Sequence, residues 1–279
     1  MLESGKQNLS DADFNKLANF IYTNYGIKLP ITKKIMLESR LKPRLRINNI
    51  ESYREYCQFV LSGKCSESEI VNMIDLVSTN KTDFYRESAH FDFMYDVVLP
   101  EYYENNSEKP FKVWSSASSS GEEAYTIAIV ISEFMDGKRP FDYQILGTDI
   151  STRIIEKASL AVYPMDRVDV IPLAQKKKYL LRGKDLENPT VRIVPELRSK
   201  TQFKRLNLMD SSYDVPKDFD LIFCRNVLIY FDRETQENVI NKLCNQLKIG
   251  GYFFLGHSES ISGYDVPLKQ IKPTMYQKI

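Results

Sequence analysis

From about residue 110 onwards, short apolar segments of the sequence alternate with amphipathic ones. The segments "FKVWSSA", "YQILGTD" and "FDLIFC" have the composition of buried strands, and helix-type segments such as "EEAYTIAIVISEFM" lie between them. This alternation predicts an α/β fold with a mostly parallel, doubly wound sheet, because the crossover helices must pack on the two faces of the sheet. We assign this sheet domain to residues 109–279.

Three parts of the chain depart from this alternation. Residues 1–80 show only the 3.6-residue period of helices, with a capping-box pattern at Ser66 and Glu69, and predict an all-helical N-terminal domain. Residues 81–108 are predicted to form a connecting helix or linker. Residues 162–205 contain prolines, a lysine run and the segment "TVRIV", which together predict a small β-subdomain inserted into the sheet domain.

Composition argues against several classes of function. The 279 residues carry a formal net charge of +1, which does not favour a nucleic-acid partner. Two histidines, and four cysteines without metal-ligand spacing, predict reduced thiols and no metal site. The N-terminus lacks a signal-peptide pattern and no apolar run approaches ~18 residues, so we expect a cytoplasmic protein with no direct membrane insertion.

The loop after the first strand, "SSASSSGEEAY", is the first of three polar segments at the edge where doubly wound sheets bind ligands. It has a single glycine, Gly121, and so differs from the GxGxxG loop of dinucleotide-binding proteins. Glu123 lies in the first turn of the following helix, where a carboxylate disfavours a pyrophosphate. The pattern favours a ligand with positive charge, unless the glutamates only complement the helix dipole.

The other two segments end their strands with hydrogen-bonding side chains. Asp149 can accept hydrogen bonds from both hydroxyls of a ribose, or else cap the next helix. Arg225 and Asn226 follow an apolar strand directly, and buried polar groups need partners, in a ligand or in an internal network. The three segments together predict a nucleoside bound without phosphates beside a cation, which is the chemical character of S-adenosylmethionine (SAM).

A fourth polar segment, "STNKTDFYRE", covers residues 78–87 at the predicted join between the helical and sheet domains. Asn80, Thr82 and Arg86 lie in it, and we expect them to reach over the ligand from the other side. Arg86 is the donor best suited to hold a carboxylate in a forked geometry.

Five blocks of the sequence together resemble the bacterial chemotaxis-receptor glutamate methyltransferases, the CheR family. In the family's order, they are "STNKTDFYRE", "VWSSASSSGEEAYTIAI", "ILGTDIS", "FDLIFCRNVLIYFD" and "GGYFFLGHSES". The resemblance implies a Rossmann-like SAM-dependent methyltransferase domain with an all-α N-terminal domain and an inserted β-subdomain. It implies methyl transfer from SAM to glutamate side chains of chemoreceptors, with S-adenosylhomocysteine (SAH) as the product.

The resemblance also implies roles for single residues. Its cofactor contacts would be Asn80, Thr82, Arg86, Glu123, Asp149, Asn207, Leu208, Arg225 and Asn226. Arg86 and Tyr230 match the two positions that the family places next to the reacting methyl group. The implied partners are the cytoplasmic helical domains of chemoreceptors and, as in some family members, a tether peptide at receptor C-termini that docks on the inserted subdomain.

A basic helix near the N-terminus is the predicted receptor-facing surface. Lys33, Arg40 and Arg44 are spaced to share one helix face, and a cationic face would attract acidic receptor helices. A solvated charged face explains the same spacing equally well. Pro43 lies within this helix, where a proline is expected to kink or end it.

Two further functions stay open on the sequence. A protein of this fold could bind SAM for signalling or scaffolding without turnover, and an NAD-dependent oxidoreductase is disfavoured by the missing GxGxxG loop. For the enzyme, a glutamate carboxylate with a pKa near ~4.3 is ionised at neutral pH, so no general base is expected. Arg86 would then orient the incoming glutamate, and Tyr230 would donate a hydrogen bond nearby.

Overall fold

The structure is a computed structural model that describes residues 8–78, 80–105 and 109–279. The chain divides into two compact units, residues 1–79 and residues 80–279. The segment 81–108, expected to connect two domains, therefore falls within the second unit, and its residues 106–108 lie outside the described part.

The described residues of the first unit form four α-helices, with one 3₁₀ turn (Ile31–Lys33) before the second. The helices are α1 (Asp11–Tyr25), α2 (Lys34–Ile47), α3 (Tyr53–Leu61) and α4 (Glu67–Val77). Ser10 caps α1 by accepting a hydrogen bond from the Asp13 N–H, and Gly26 follows the helix with φ 69°, as the sequence predicts. The apolar helix faces meet in a buried core that includes Leu17, Leu41 and Tyr56.

Pro43 does not end α2, which continues to Ile47. A proline lacks the N–H that would bond to the carbonyl four residues earlier, here the carbonyl of Ser39. Pro43 is exposed and Ser39 is at the surface of the same helix, so water can satisfy that carbonyl and the helix tolerates the proline.

The side chain of Glu69 joins α4 to α2 and α3 instead of completing a capping box. Ser66 does accept a hydrogen bond from the Glu69 N–H, at 3.2 Å. The Glu69 carboxylate, however, accepts hydrogen bonds from Arg44 Nε at 3.0 Å and from the Tyr56 hydroxyl at 2.8 Å, and it forms a second bond with Arg44 Nη2. The capping-box prediction is therefore correct for Ser66 and wrong for Glu69.

The guanidinium groups of Arg40 and Arg44 both bind α4. Arg40 donates to the Leu76 carbonyl at 2.8 Å, and the Arg44 side chain is only 15% exposed beside Glu69. The charged groups of these two arginines are thus used inside the helical unit, and their part in a receptor-facing surface stays a prediction. Lys33, the third member of the predicted surface, is half-buried at the end of the 3₁₀ turn.

Arg44→Met is expected to destabilise the helical unit by about 3–5 kcal/mol, since it leaves the buried Glu69 carboxylate without its cation. Burial raises the pKa of Glu69, but hydrogen bonds from Arg44, Asn48 and Tyr56 outweigh burial and hold this pKa below its ordinary value. Hydrogen exchange of the α4 amides measures the loss. Arg46→Met, at an exposed position of the same helix, is the control, and a loss below about 1 kcal/mol for Arg44→Met would contradict the prediction.

The second unit contains a large sheet of seven strands. The strands are β1 (Phe111–Ser115), β2 (Tyr143–Asp149), β6 (Thr201–Arg205), β7 (Phe219–Cys224), β8 (Leu247–Leu255), β9 (Leu268–Lys272) and β10 (Met275–Lys278). Their order is β6-β2-β1-β7-β8-β10-β9. The first five in this order run parallel. At one end, β10 pairs antiparallel with β8, and β9 pairs antiparallel with β10. The predicted doubly wound α/β fold is thus confirmed.

Helices cover both faces of this sheet. They are α5 (Ala89–Phe93), α6 (Leu99–Glu104), α7 (Glu122–Phe134), α8 (Thr152–Leu160), α9 (Leu173–Tyr179), α10 (Pro195–Ser199) and α11 (Arg233–Cys244). Neighbouring strand residues belong to opposite layers: Val113 packs in the core layer of α7, whereas Trp114 packs in the layer of α11. The central strands are therefore buried on both sides.

A small antiparallel sheet is formed by the part of the chain between α8 and β6. Its strands are β3 (Val162–Pro164), β4 (Leu180–Arg182) and β5 (Thr190–Ile193), in the order β3-β5-β4. The segment Thr201–Arg205, which the sequence analysis includes in the insert, is instead the edge strand β6 of the large sheet and pairs in parallel with β2.

Residues 8–78, 80–105 and 109–279 contain neither a membrane-spanning helix nor a cluster of metal ligands. No helix there combines the length and the apolar content that crossing a bilayer requires. No group of three or more His, Cys, Asp and Glu side chains there has an arrangement that could hold a metal ion.

Candidate active site

Three neighbouring parallel strands end at one edge of the large sheet. The strand order places β1 between β2 and β7, and all three run in the same direction. The polar segments that follow these strands therefore lie side by side, at the edge where doubly wound sheets bind ligands. Segment 80–87 reaches the same edge, because Glu87 forms an ion pair with Arg225 at 3.3 Å.

The loop between β1 and α7 is folded tightly around Gly121. This residue has φ 94°, and a Cβ atom there would lie 3.0 Å from both the Ala158 Cβ and the Tyr163 hydroxyl. Only glycine fits such a backbone with so little space around it. The Ser119 N–H in the same loop donates to Asp149 Oδ2 at 3.0 Å, which holds the loop against the end of β2.

Gly121→Ala is expected to weaken SAH binding by at least about ten-fold, because the left-handed backbone alone costs ~1–2 kcal/mol and the new methyl group adds a clash. Calorimetric titration of SAH measures the change. Gly137→Ala is the matched control, since Gly137 also has a positive φ, of 73°, but a methyl group there would meet no atom of the described residues within 4 Å. Equal SAH affinities of the two variants would show that the tight turn at Gly121 is not needed for cofactor binding.

Asp149 is oriented by backbone groups on both sides. Its Oδ2 accepts from Ser119 and its Oδ1 accepts from the Ser151 N–H at 3.1 Å. The Asp149 carbonyl accepts from the Leu206 N–H at 2.9 Å, which brings the following pair, Asn207 and Leu208, next to the end of β2. The predicted ribose-binding acid and the predicted adenine-binding pair are therefore neighbours.

Arg225, which follows β7, joins three of the four polar segments. Its side chain is 2% exposed, and Nη1 lies 3.3 Å from Glu123 Oε2 while Nη2 lies 3.3 Å from Glu87 Oε2. Nη2 also donates to the Arg86 carbonyl. A single buried guanidinium thus connects segment 80–87 with the first turn of α7.

The two carboxylates beside Arg225 differ in their surroundings. Burial raises the pKa of Glu123 above its ordinary value, against the lowering effects of Arg225 and of the Ser115 hydroxyl, which donates to Glu123 at 2.6 Å. Burial also acts to raise the pKa of Glu87, but Arg225 and the Asn226 amide outweigh it and lower the pKa. Glu87 is a site residue that the sequence analysis does not identify, although it lies in the block "STNKTDFYRE".

Glu259, in the loop after β8, is a second such residue. Its Oε1 accepts from the Val227 and Leu228 N–H groups at 2.9 and 2.8 Å, and its Oε2 accepts from the Asn226 and Gly256 N–H groups at 2.9 and 2.8 Å. Four backbone donors thus converge on one carboxylate and fix the loop that leads to Tyr230. The signal in the sequence is the acid in "GHSES", four residues after the end of a buried strand.

The remaining predicted site residues lie in the same segments. Arg86 is half-buried, and its Nη1 donates to the Lys81 carbonyl at 2.9 Å. Thr82 is buried and Asn80 half-buried in this segment. Asn207 accepts from the Met209 N–H at 3.0 Å, and Tyr230 ends the short 3₁₀ turn Leu228–Tyr230, half-buried.

The buried polar atoms at this edge fit a zwitterionic ligand group. Among the described residues, Arg225 Nε is buried without a hydrogen-bond partner, and Arg225 Nη1 and Glu87 Oε2 form ion pairs at 3.3 Å but no hydrogen bond. Buried donors and acceptors of this kind are normally satisfied, and the ammonium and carboxylate of an amino-acid tail offer both complements. Together with the acid at the end of β2, this donor set suits SAM.

Comparisons with known proteins place the chain in a family. Residues 12–78 match the model of the CheR methyltransferase all-alpha domain, and residues 80–277 match the model of the CheR methyltransferase SAM binding domain. A chemotaxis protein methyltransferase of Borreliella burgdorferi is 39% identical over 275 residues, which cover 97% of this chain and 95% of the relative.

A second chemotaxis protein methyltransferase, from Salmonella typhimurium, is 35% identical over 254 residues, 91% of this chain and 85% of the relative. The Escherichia coli protein of the same name is also 35% identical over 254 residues, with 91% and 86% covered. The matches extend over both units of the chain. The chain therefore belongs to the CheR family, and it is a SAM-dependent methyltransferase of chemotaxis.

Proposed function

We propose that the protein transfers the methyl group of SAM to glutamate side chains on the cytoplasmic helical domains of chemoreceptors and forms glutamate methyl esters. The observation that carries this proposal is the bridge from Arg225 to Glu87, Glu123 and the Arg86 carbonyl, which brings the Arg86 segment to the cofactor loop. The Arg86 side chain would then carry its guanidinium near the cofactor, and a guanidinium binds a carboxylate substrate better than a neutral one.

SAM supplies an electrophilic methyl group on its sulfonium, and SAH remains after transfer. Nine residues would hold it: Asn80, Thr82, Arg86, Glu123, Asp149, Asn207, Leu208, Arg225 and Asn226. Glu123 would accept from the ammonium of the amino-acid tail, and Asp149 from the ribose hydroxyls. Ser115, which donates to Glu123 Oε1 at 2.6 Å, and Arg225, 3.3 Å from Glu123 Oε2, would hold this carboxylate in place.

Methyl transfer to a glutamate requires that the substrate be positioned, but it does not require a proton transfer. Its carboxylate is ionised at neutral pH, so one oxygen can form the new bond without a base. Arg86 would bind the second oxygen and orient the first, and the Tyr230 hydroxyl would donate a hydrogen bond to the same carboxylate. The benefit from Arg86 must be alignment, because its charge also stabilises the free carboxylate.

The proposal is tested with methyl-labelled SAM and receptor cytoplasmic fragments. We expect label in a base-labile carboxyl ester on glutamate, and loss of nearly all label with Arg86→Ala. Arg54→Ala, at an exposed position of α3, is the control that should retain activity. Base-stable label, or label on another residue type, would overturn the assignment of glutamate as the acceptor.

The receptor surface and the tether site are proposals of the same kind. With Arg40 and Arg44 bound to α4, the exposed Lys42 and Arg46 are the cations of α2 that can meet an acidic receptor helix. A tether peptide would add to the edge strand β4, where an extended chain can form backbone hydrogen bonds. Titration of receptor C-terminal peptides tests the tether, which is refuted if none binds at millimolar concentration.

A further inference from the structure

Arg167 connects the inserted subdomain to two cofactor segments at once. It lies in a 3₁₀ turn (Met165–Val168) directly after β3. Its Nη1 lies 3.0 Å from Asp83 Oδ1, and its Nη2 lies 3.1 Å from Glu122 Oε1 and also donates to the Thr82 carbonyl. These partners belong to two segments that are far apart in the chain, so the contact is a tertiary clamp.

The Glu122 carboxylate depends on this clamp for its charge balance. Its side chain is 3% exposed, and its other oxygen accepts from the Ser120 hydroxyl at 2.6 Å. An ionised carboxylate that is this deeply buried needs a cation or several donors. Arg167 supplies the cation, and Glu122 is the residue next to Glu123, so its position sets where α7 begins.

Tyr163 of β3 provides a second contact from the insert. Its hydroxyl donates to the Ser120 carbonyl at 2.8 Å, in the tight cofactor loop. Its ring packs edge-on against Phe84, with 5.0 Å between the ring centroids. The insert therefore supports both the loop before α7 and the segment that carries Thr82 and Arg86.

We propose that Arg167 is a positioning residue through which the inserted subdomain holds segments 80–87 and 118–123 together, and that it sets the affinity for SAM without touching the cofactor. A guanidinium can bind three acceptors in fixed directions, which a single ammonium cannot do. The inference rests on the cofactor site of the proposed function and not on the identity of the methyl acceptor.

The test is calorimetric titration of SAH into the full chain. Arg167→Met is expected to weaken SAH binding by about ten-fold or more, because the ion pairs with Asp83 and Glu122 and the hydrogen bond to the Thr82 carbonyl are lost together. Arg167→Lys should recover part of the affinity. In kinetics, the KM for SAM should rise while kcat at saturating SAM stays within about two-fold, which a general loss of fold would not produce.

Two further variants make the test independent of folding defects. Asp83→Asn removes the carboxylate partner of Arg167 and should also lower the affinity for SAH. The loss of affinity in the double variant should be smaller than the sum of the two single losses. Arg192→Ala is the control, since Arg192 lies in β5 of the same insert and donates to the Leu160 carbonyl at 3.1 Å. It should bind SAH like the wild type.

SAH affinities within about two-fold of the wild type for folded Arg167→Met, or equal losses for Arg167→Met and Arg192→Ala, would overturn the proposal. If Arg167→Met does not fold, an unchanged affinity of Asp83→Asn has the same meaning. A failure of the glutamate assignment would leave these SAH titrations as expected, so the two failures are distinguishable.

Discussion

Glu259→Gln is expected to lower kcat/KM by at least about 100-fold, although glutamine nearly matches glutamate in size. Each oxygen of Glu259 accepts two backbone N–H groups, from Val227 and Leu228 on one side and from Asn226 and Gly256 on the other. A carboxylate only accepts, whereas an amide nitrogen only donates. The substitution therefore points an NH₂ group at two donors and leaves them unsatisfied.

The unsatisfied N–H groups belong to the loop that carries Tyr230, so the substitution destabilises this loop. Each buried donor without a partner costs ~1–3 kcal/mol, and the opposed N–H groups also repel each other. Asn226 has φ 58°, a conformation that a residue other than glycine keeps only where its surroundings enforce it. Without the four acceptor contacts, we expect the loop to leave this conformation. The Tyr230 hydroxyl would then no longer be oriented toward the substrate carboxylate.

Kinetics and hydrogen exchange of the amides of residues 226–228 measure this effect together. Glu234→Gln, at an exposed position in the first turn of α11, is the matched control and should keep wild-type kinetics. Glu259→Asp retains the acceptors on a shorter side chain and should be intermediate. Wild-type kcat/KM in Glu259→Gln would show that the carboxylate does not position this loop.

Arg225→Met is expected to destabilise the second unit by about 3–5 kcal/mol and to abolish measurable SAH binding. The substitution leaves the carboxylates of Glu87 and Glu123 buried together without their shared cation. It also removes the donor to the Arg86 carbonyl, so segment 80–87 is tied to the residues after β7 more weakly, through the Asn226 amide that donates to Glu87 at 3.2 Å. Arg225→Lys should be only slightly better, because one ammonium cannot reach all three groups.

Combining the change with Glu123→Gln separates stability from binding. The double variant removes one of the two uncompensated charges, so its thermal midpoint should rise above that of Arg225→Met. SAH binding should remain lost, since Glu123 is the proposed partner of the ammonium. Thermal unfolding and titration measure the two quantities, and an unfolding midpoint of Arg225→Met equal to that of the wild type would contradict the buried-bridge interpretation.

Local patterns predict the elements of this fold because their causes are local. The helix from Asp11 to Tyr25 has both its cap and its terminal glycine in the sequence, and the parallel strands appear as apolar runs. Strand β6 is different: the segment Thr201–Arg205 has alternating exposure at the sheet edge and no apolar run. Its pairing with β2 is non-local, so the sequence alone places it in the insert.

The spacing of charged residues in the sequence does not reveal which groups their side chains contact. The spacing of Arg40 and Arg44 on one helix face predicts a shared surface, but does not tell whether α4 or solvent faces it. Glu259 and Arg167 act on groups that are distant in the chain, 33 residues away for Asn226 and 45 for Glu122. Asp149 and Arg225, by contrast, are marked by their position directly after apolar strands, which is a local signal.

A crystal structure of the protein with SAH would test the assignment of the site most directly. We expect the ammonium of SAH within hydrogen-bond distance of Glu123, both ribose hydroxyls on Asp149, the adenine beside Asn207 and Leu208, and the Arg225 bridge intact. SAH bound away from the ends of β1, β2 and β7, or bound there without contact to Glu123 and Asp149, would contradict it.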